Sequence, residues 1–328
     1  MITFSWRRRL VGFFALSAMV FAATSAPAET FPSRPIRMIV AWAPGTPGDV
    51  AGRLIAESMA TALGQPIVVD NRPGAGGTVG LSELLRQPAD GYTLFMLGAP
   101  GALLMPLLYP AIKVDLQSSL TPVGTVVFSY NVLVTSPSKP YKNAKDLAAA
   151  VKNSPGQISF SSAGNGTPAH LAGEMLSRHL NSQAMHVPYN QIGMALSDVM
   201  AGRVDFMFLT ASAAVPQIAG GKLRALATSG PRRLPALPDV PTMVEQGYPG
   251  FVVRAFEMLT TKTGTPPDIV QRLNAELNKA LASPSVQEKL AGVSLEPKPM
   301  SIAESKALLV SEQATLVQFG RTISLKAD

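Results

Sequence analysis

The chain has 328 residues, 47% of them hydrophobic, with no cysteine and a formal net charge of +7. Without cysteine there are no disulfides, thiolate metal sites or thiol nucleophiles, so the fold must hold by its core alone. The length suffices for two domains of ordinary size, and no Lys/Arg cluster interleaved with aromatics marks a nucleic-acid surface.

Trp6-Arg7-Arg8-Arg9 is a basic start, followed by an apolar run from Leu10 to Ala23 and by the small residues of Ala26-Pro27-Ala28. This succession predicts a secretory signal peptide over residues 1–28, cleaved before Glu29. The apolar run is short for a bilayer span. Removing the segment takes away three arginines and no acid, which lowers the formal charge from +7 to +4. That mild basicity suits an anionic ligand.

The first strand signal is Met38-Ile39-Val40-Ala41-Trp42. A small-residue loop, Ala43-Pro44-Gly45-Thr46-Pro47-Gly48-Asp49, follows it. A helix then carries Val50, Leu54, Ile55, Met59 and Leu63 on one side and stops at Gly64. Ile67-Val68-Val69 reads as a strand feeding a glycine-rich turn at 71–78, which fails the dinucleotide fingerprint because Val79 stands where its third glycine belongs. Thr93 to Leu97 is a strand opening at Gly98. Gly124 to Thr135 is a long apolar run, interrupted at Ser129-Tyr130-Asn131, and its length suits a strand crossing between two lobes. A helix starts at Asn143.

Gln157 to Phe160 alternates as a short strand does, and Ser161-Ser162-Ala163-Gly164-Asn165-Gly166-Thr167-Pro168-Ala169-His170 follows. Thr167 is a good N-cap and Pro168 suits the first helical position. Strand, small-residue loop and helix thus recur about 120 residues after the first instance. Each leaves backbone N–H groups open at the positive end of a helix, which favours an anion. A helix over 195–201 stops at Gly202. Val204 to Leu209 reads as a central strand, and Lys222 to Thr228 as another. Ser229 to Pro249, rich in proline, reads as a surface loop. Phe251-Val252-Val253 begins a return crossing. The C-terminal part is helical, with Ile269, Val270, Leu273, Leu277 and Leu281 on one face and Ser301 with Glu304 as a capping box. The alternation argues for α/β lobes with mainly parallel sheets, one lobe built from both chain ends and the other from the middle.

Several chemistries lack their residues. His170 and His179, nine apart on one predicted helix, point to opposite sides, and no H-E-x-x-H, Walker loop or G-x-S-x-G elbow is present. Asp49 and Asp205 are formally a carboxylate pair for acid–base work, but Asp49 is better read as an acid in the first turn of a helix. Trp42 and Tyr189 suit either a pocket wall or the core. His170 suits either ligand contact or local packing.

The chain resembles the periplasmic solute-binding proteins of the tripartite tricarboxylate transporter family, the Bug or TctC type. The resemblance runs through Ala43-Pro44-Gly45 with Asp49, Asp70-Asn71-Arg72-Pro73-Gly74-Ala75-Gly76-Gly77, Asp90-Gly91-Tyr92-Thr93-Leu94 and Ser162–Thr167 with His170–Glu174. It continues in His186-Val187-Pro188-Tyr189, Gly202-Arg203-Val204-Asp205, Gly221–Leu226 and Leu237–Thr242.

It implies a two-lobed periplasmic binding protein fold of type II, with lobe 1 over residues 29–128 and 254–328 and lobe 2 over 129–253. It also implies a small carboxylate held in the cleft. The implied contacts are Trp42, Pro44, Gly45, Thr46, Pro47, Gly48, Asp49, Gly98 and Ser129 on one side. Ser162, Ala163, Gly164, Asn165, Gly166, Thr167, His170, Tyr189 and Asp205 stand on the other. The protein is expected to be a periplasmic monomer without cofactor or catalysis, handing its ligand to membrane transporter subunits. The alternatives are presentation of the ligand to a receptor kinase and, less favoured, an enzyme on the same scaffold. Two departures stand out: Thr46 where a second glycine is usual, and Leu103 and Leu104 where polar residues often occur. The leucines are expected to bias the pocket toward an acid with an apolar body.

Overall fold

The computed structural model describes residues 30–323 and 325, so the predicted signal peptide lies outside the described residues. Apart from residues 30–33, they belong to the compact unit Arg34–Asp328.

The first strand, β1 (Ile36–Val40), begins two residues earlier than the apolar run suggests and leaves Trp42 just beyond its end. Helix α1 (Pro47–Leu63) has Pro47 in its first turn and ends at Gly64, whose φ of 71° is the left-handed conformation that closes a helix on glycine. Its buried face centres on Ala51, Ile55, Ala56 and Met59, with Val50 and Leu54 at the margin. Strands β2 (Ile67–Asn71) and β3 (Thr93–Ala99) pair with β1 on either side, both parallel. Between them lies helix α2 (Thr78–Leu85). The short helices α3 (Met105–Leu108) and α4 (Leu116–Ser119) lead to β4 (Leu120–Thr135).

Strand β4 is 16 residues long and serves two strand groups. Leu120 to Tyr130 pair with β9 (Arg254–Lys262), and Asn131 to Thr135 pair with β7 (Phe206–Thr210). The polar interruption at 129–131 is the handover point. There Asn131 donates its backbone N–H to the Ser229 hydroxyl oxygen (2.9 Å) and its side-chain amide to the Phe208 carbonyl (3.1 Å). The second group continues through β5 (Ser159–Ser162) to β6 (Met185–Pro188), while β8 (Arg224–Thr228) pairs on the other edge of β4.

The sheet is mixed rather than mainly parallel. β5 is parallel to β6 and β7, as β1 is to β2 and β3, but β9 runs antiparallel to both β3 and β4. A strand that takes the chain out of one group and a strand that brings it back run in opposite senses. That return begins at Arg254, not at Phe251. Phe251 and Val253 are buried with Phe160, Phe206 and Phe208 in the second group's core. The proline-rich stretch 229–249 holds no helix or strand beyond a Thr228–Thr242 bridge.

Helix α5 (Ala144–Asn153) is capped by Asn143, and α6 (Pro168–Leu180) by Thr167. Helix α7 (Ile192–Met200) leads to β7, and α8 (Ala211–Ala219) to β8. The chain closes with α9 (Pro267–Ala282), α10 (Pro284–Gly292), the two-residue strand β10 (Glu296–Pro297) and α11 (Ile302–Thr322), which starts on the predicted Ser301–Glu304 capping box. Among the described residues no helix is long and apolar enough to cross a membrane.

Candidate functional site

Both small-residue loops lie at the C-terminal ends of parallel strands, β1 and β5, where α/β sheets place their ligands. In the first loop, Ala43, Pro44 and Gly45 are exposed and Thr46 and Pro47 half-buried. Thr46 has ordinary extended backbone (φ −74°, ψ 160°), so its Cβ costs nothing where glycine is usual. Its hydroxyl donates to the Ala43 carbonyl at 2.8 Å and makes no cap bond to the helix. The first turn of α1 therefore keeps its N–H groups, those of Gly48 and Asp49, free of a side-chain cap.

The Asp49 side chain is engaged within the protein. It accepts from the Gly45 N–H (2.9 Å), from Asn71 (2.8 Å) and from Arg53 (3.0 Å), which ties the loop to its helix and to β2. Burial raises the Asp49 carboxyl, but Arg53, Gly45 and Asn71 outweigh it and hold the group below its ordinary range.

Trp42 is half-buried and acts as a wedge. A Cβ at Gly98 would lie 2.4 Å from its indole nitrogen, and one at Gly48 2.6 Å from its ring. These two glycines make room for the indole, which explains why position 98 carries no side chain. The indole N–H donates to Glu257 Oε2 at 3.3 Å. Glu257, on β9, went unnoticed in the sequence, since 215 residues separate it from Trp42. Burial pushes its carboxyl up to about 8, against the opposing pull of the Trp42 N–H. Ser129 is half-buried on β4, opposite Ala255.

The second loop is knotted to itself. Gly164 (φ 107°) and Gly166 (φ 76°) occupy backbone that side chains resist. The Gly164 N–H donates to Ser162 Oγ (3.1 Å), and Thr167 Oγ1 donates to the Gly164 carbonyl (2.7 Å). The Gly166 N–H donates to His170 Nδ1 at 3.1 Å. Both glycine amides are thus used inside the loop, contrary to the expectation that they point at an anion. Ala163, Asn165 and Thr167 are half-buried at its rim.

His170 is 6% exposed, and its ring packs rather than reaching out. Its partner is His186, not His179: the rings stack 4.2 Å apart, and His186 stacks in turn on Phe160 at 4.8 Å. The parallel pairing of β5 and β6 sets Phe160 beside His186, a contact that helical spacing could not reveal. His186 Nε2 lies 2.7 Å from Ser162 Oγ. Since His170 Nδ1 accepts, the neutral ring carries its proton on Nε2, toward Glu174 Oε1 at 3.8 Å. Burial, with His186 adding, lowers His170 to about 3.

Tyr189 adjoins this loop through its backbone, its N–H donating to the Ser162 carbonyl (3.0 Å). Its hydroxyl donates to Asp198 on α7 at 2.5 Å, so the phenol is committed to that acid. Asp205 is not brought to the site. It precedes β7 and meets the start of β5, whereas the loop leaves the other end of that strand. There it accepts from Lys139 (2.7 Å) and from the Ser159 N–H and hydroxyl (both 2.9 Å). The Asp49–Asp205 pair does not form.

The segment after β3 links the two loops. The Trp42 ring lies 3.3 Å from a Cβ placed on Gly101, and Leu108 lies 2.8 Å from one on Gly166. Leu104, Leu108 and Leu171 form one buried cluster, while Leu103 joins the larger core that runs through both strand groups. The two unexpected leucines are thus packed, and Leu104 seals the second loop rather than lining open space.

A family model described as tripartite tricarboxylate transporter family receptor (TctC) matches residues 51–324. The chain is 35% identical over 304 residues to Protein BugT of Bordetella pertussis, covering 92% of this chain and 93% of the relative. Among solved structures it resembles R. palustris Rpa4515 with adipate (TM-score 0.81, 28% identity, 90% of this chain and 99% of that one). It also resembles MatC of Rhodopseudomonas palustris with bound malate (TM-score 0.76, 31% identity, 88% and 99% covered).

Proposed function

The chain belongs to the tripartite tricarboxylate transporter receptor family, and from that premise we propose that it captures a small organic acid for a membrane transporter. The family is one of periplasmic solute-binding proteins. Relatives described with adipate and malate support a carboxylate as the ligand class.

The observation that carries the reading is the open first turn of α1. Pro47 has no N–H, Thr46 turns its hydroxyl to Ala43, and the amides of Gly48 and Asp49 remain at the positive end of a 17-residue helix. Arg53 and Asn71 hold the Asp49 carboxylate in place, so it is balanced where it would otherwise repel an anion. A cradle of amides binds an anion without burying an arginine that would stand unpaired in the empty protein. The second loop contributes the facing wall and the start of α6.

In this reading, residues 29–128 and 254–328 form one lobe and 129–253 the other, with β4 and β9 as hinge strands. The mature chain starts at Glu29 and works as a periplasmic monomer. The test is mass spectrometry of small molecules released on denaturing protein purified without added ligand, followed by calorimetric titration of what is found. A mono- or dicarboxylic acid that rebinds is the expected result. A released and rebinding sugar or simple amine contradicts the reading.

A further inference from the structure

We propose that Glu257, a residue outside the two loops, sets ligand specificity by donating a hydrogen bond from its neutral carboxyl to the bound carboxylate. The inference rests on the carboxylate reading and names what selects the acid.

Glu257 reaches the site from the returning strand. On β9 it stands opposite Gly98, and the missing side chain there leaves the space that its carboxyl shares with the Trp42 indole. One oxygen, Oε2, accepts the Trp42 N–H at 3.3 Å. The other, Oε1, makes no hydrogen bond among the described residues, and lies 2.9 Å from a Cβ built on Gly48 in the first turn of α1. Glu257 also keeps part of its surface accessible, although protein surrounds it closely enough to push its carboxyl up to about 8. An acid closely surrounded yet partly accessible thus stands beside the uncapped helix start.

A charge here would be supported by the Trp42 N–H and by the positive end of α1, and burial outweighs the Trp42 contribution. Trp42, Gly48, Gly98 and, across β4, Val127 are its neighbours, and none of them titrates near neutrality. Among charged groups on the same elements, Asp49 is paired with Arg53, and Arg254 with Glu312. With no cation among these neighbours and burial raising the carboxyl, the neutral acid is the form that fits. Because Oε2 already accepts from Trp42, the proton belongs on Oε1, which has no partner among the described residues. A ligand carboxylate oxygen is the missing acceptor, and a hydrogen bond to a charged acceptor is stronger than one between neutral groups. A ligand ammonium in that place would meet a donor instead and would require the ionised form. The position therefore favours acids whose inner end carries no amine.

Trp42 makes the test direct, because its indole touches the titrating group. Intrinsic fluorescence of the full chain is followed from about pH 5 to about pH 10, in wild type and in Glu257→Gln. Trp6, common to both, cancels in the difference. The expected result is a wild-type transition near pH 8 that the Gln variant lacks. Adipate, malate or succinate should move that midpoint upward, and glutamate should not. Calorimetric affinity for the acid that shifts it should be flat to about pH 7, then fall by up to about tenfold per pH unit. Glu257→Gln, which retains a donor, should bind the same acid within about threefold at pH 6.5, with a flat profile. A midpoint at or below about pH 6, a downward shift with glutamate, or loss of binding in the Gln variant overturns the proposal and leaves the carboxylate reading standing. Failure of every carboxylate to bind sinks that reading, and the donation with it.

Discussion

A methyl group added at Gly98 would lie 2.4 Å from the Trp42 indole nitrogen, closer than any relaxed contact allows. Gly48 and Gly101 also lie close to the ring, which leaves it little room to yield. Gly98→Ala is expected to destabilise the protein by about 1–3 kcal/mol and to displace Trp42. Urea unfolding with tryptophan emission reads both effects. Gly193, inside α7 with open space around its Cα, is the control: Gly193→Ala should be neutral or stabilise by up to about 1 kcal/mol. If the two alanines behave alike, Trp42 is not wedged as described. Thr167 offers a second residue-level test. Its side chain caps α6 by accepting from the His170 N–H, and it also donates to the Gly164 carbonyl. Thr167→Ala should cost on the order of 1 kcal/mol by chemical denaturation.

At the scale of elements, the stack that joins β5, β6 and α6 predicts an acid sensitivity. The His170 ring is buried neutral, its pKa about 3, whereas in the unfolded chain a histidine titrates near 6.5. Only the unfolded form takes up the proton in this interval. The stabilisation from His170 is therefore fully present above about pH 6.5 and is lost as pH falls toward about 3, at no more than roughly 1.4 kcal/mol per unit. His170→Asn keeps an acceptor for the Gly166 N–H, removes the titration, and should flatten thermal stability over that window. An unchanged slope would mean His170 already carries its charge in the folded protein.

The same elements show what a sequence can and cannot display. The two strand–loop–helix units, the crossing strand with its break at Ser129-Tyr130-Asn131 and the Ser301–Glu304 capping box are local patterns, and all were legible. His186 meeting His170, and Glu257 meeting Trp42, depend on strand order and register. Those carry no signal in the spacing of a single chain. Asp205 misled for a related reason: its motif places it near a strand, but the sense of β7 decides which end of the sheet it occupies.

At the scale of the molecule, the apolar contact of Leu104 and Leu108 with Leu171 and the Gly166 loop joins segments on either side of the strand crossing. If lobes open about β4 and β9, this contact separates, and ligand that bridges the two loops draws it shut again. Small-angle scattering should record a smaller radius of gyration at saturating acid than without it. An unchanged radius would argue against a clamp. The central claim, that the two loops together hold the carboxylate, is tested most directly by calorimetric titration of the released acid into wild type, Gly164→Val and Gly166→Val. Circular dichroism first establishes that each variant is folded. Valine at 166 places a branched side chain at a φ of 76° and its Cβ 2.8 Å from Leu108. Both variants are predicted to lose binding by about a hundredfold or more. Folded variants that both bind the acid as wild type does would contradict the claim.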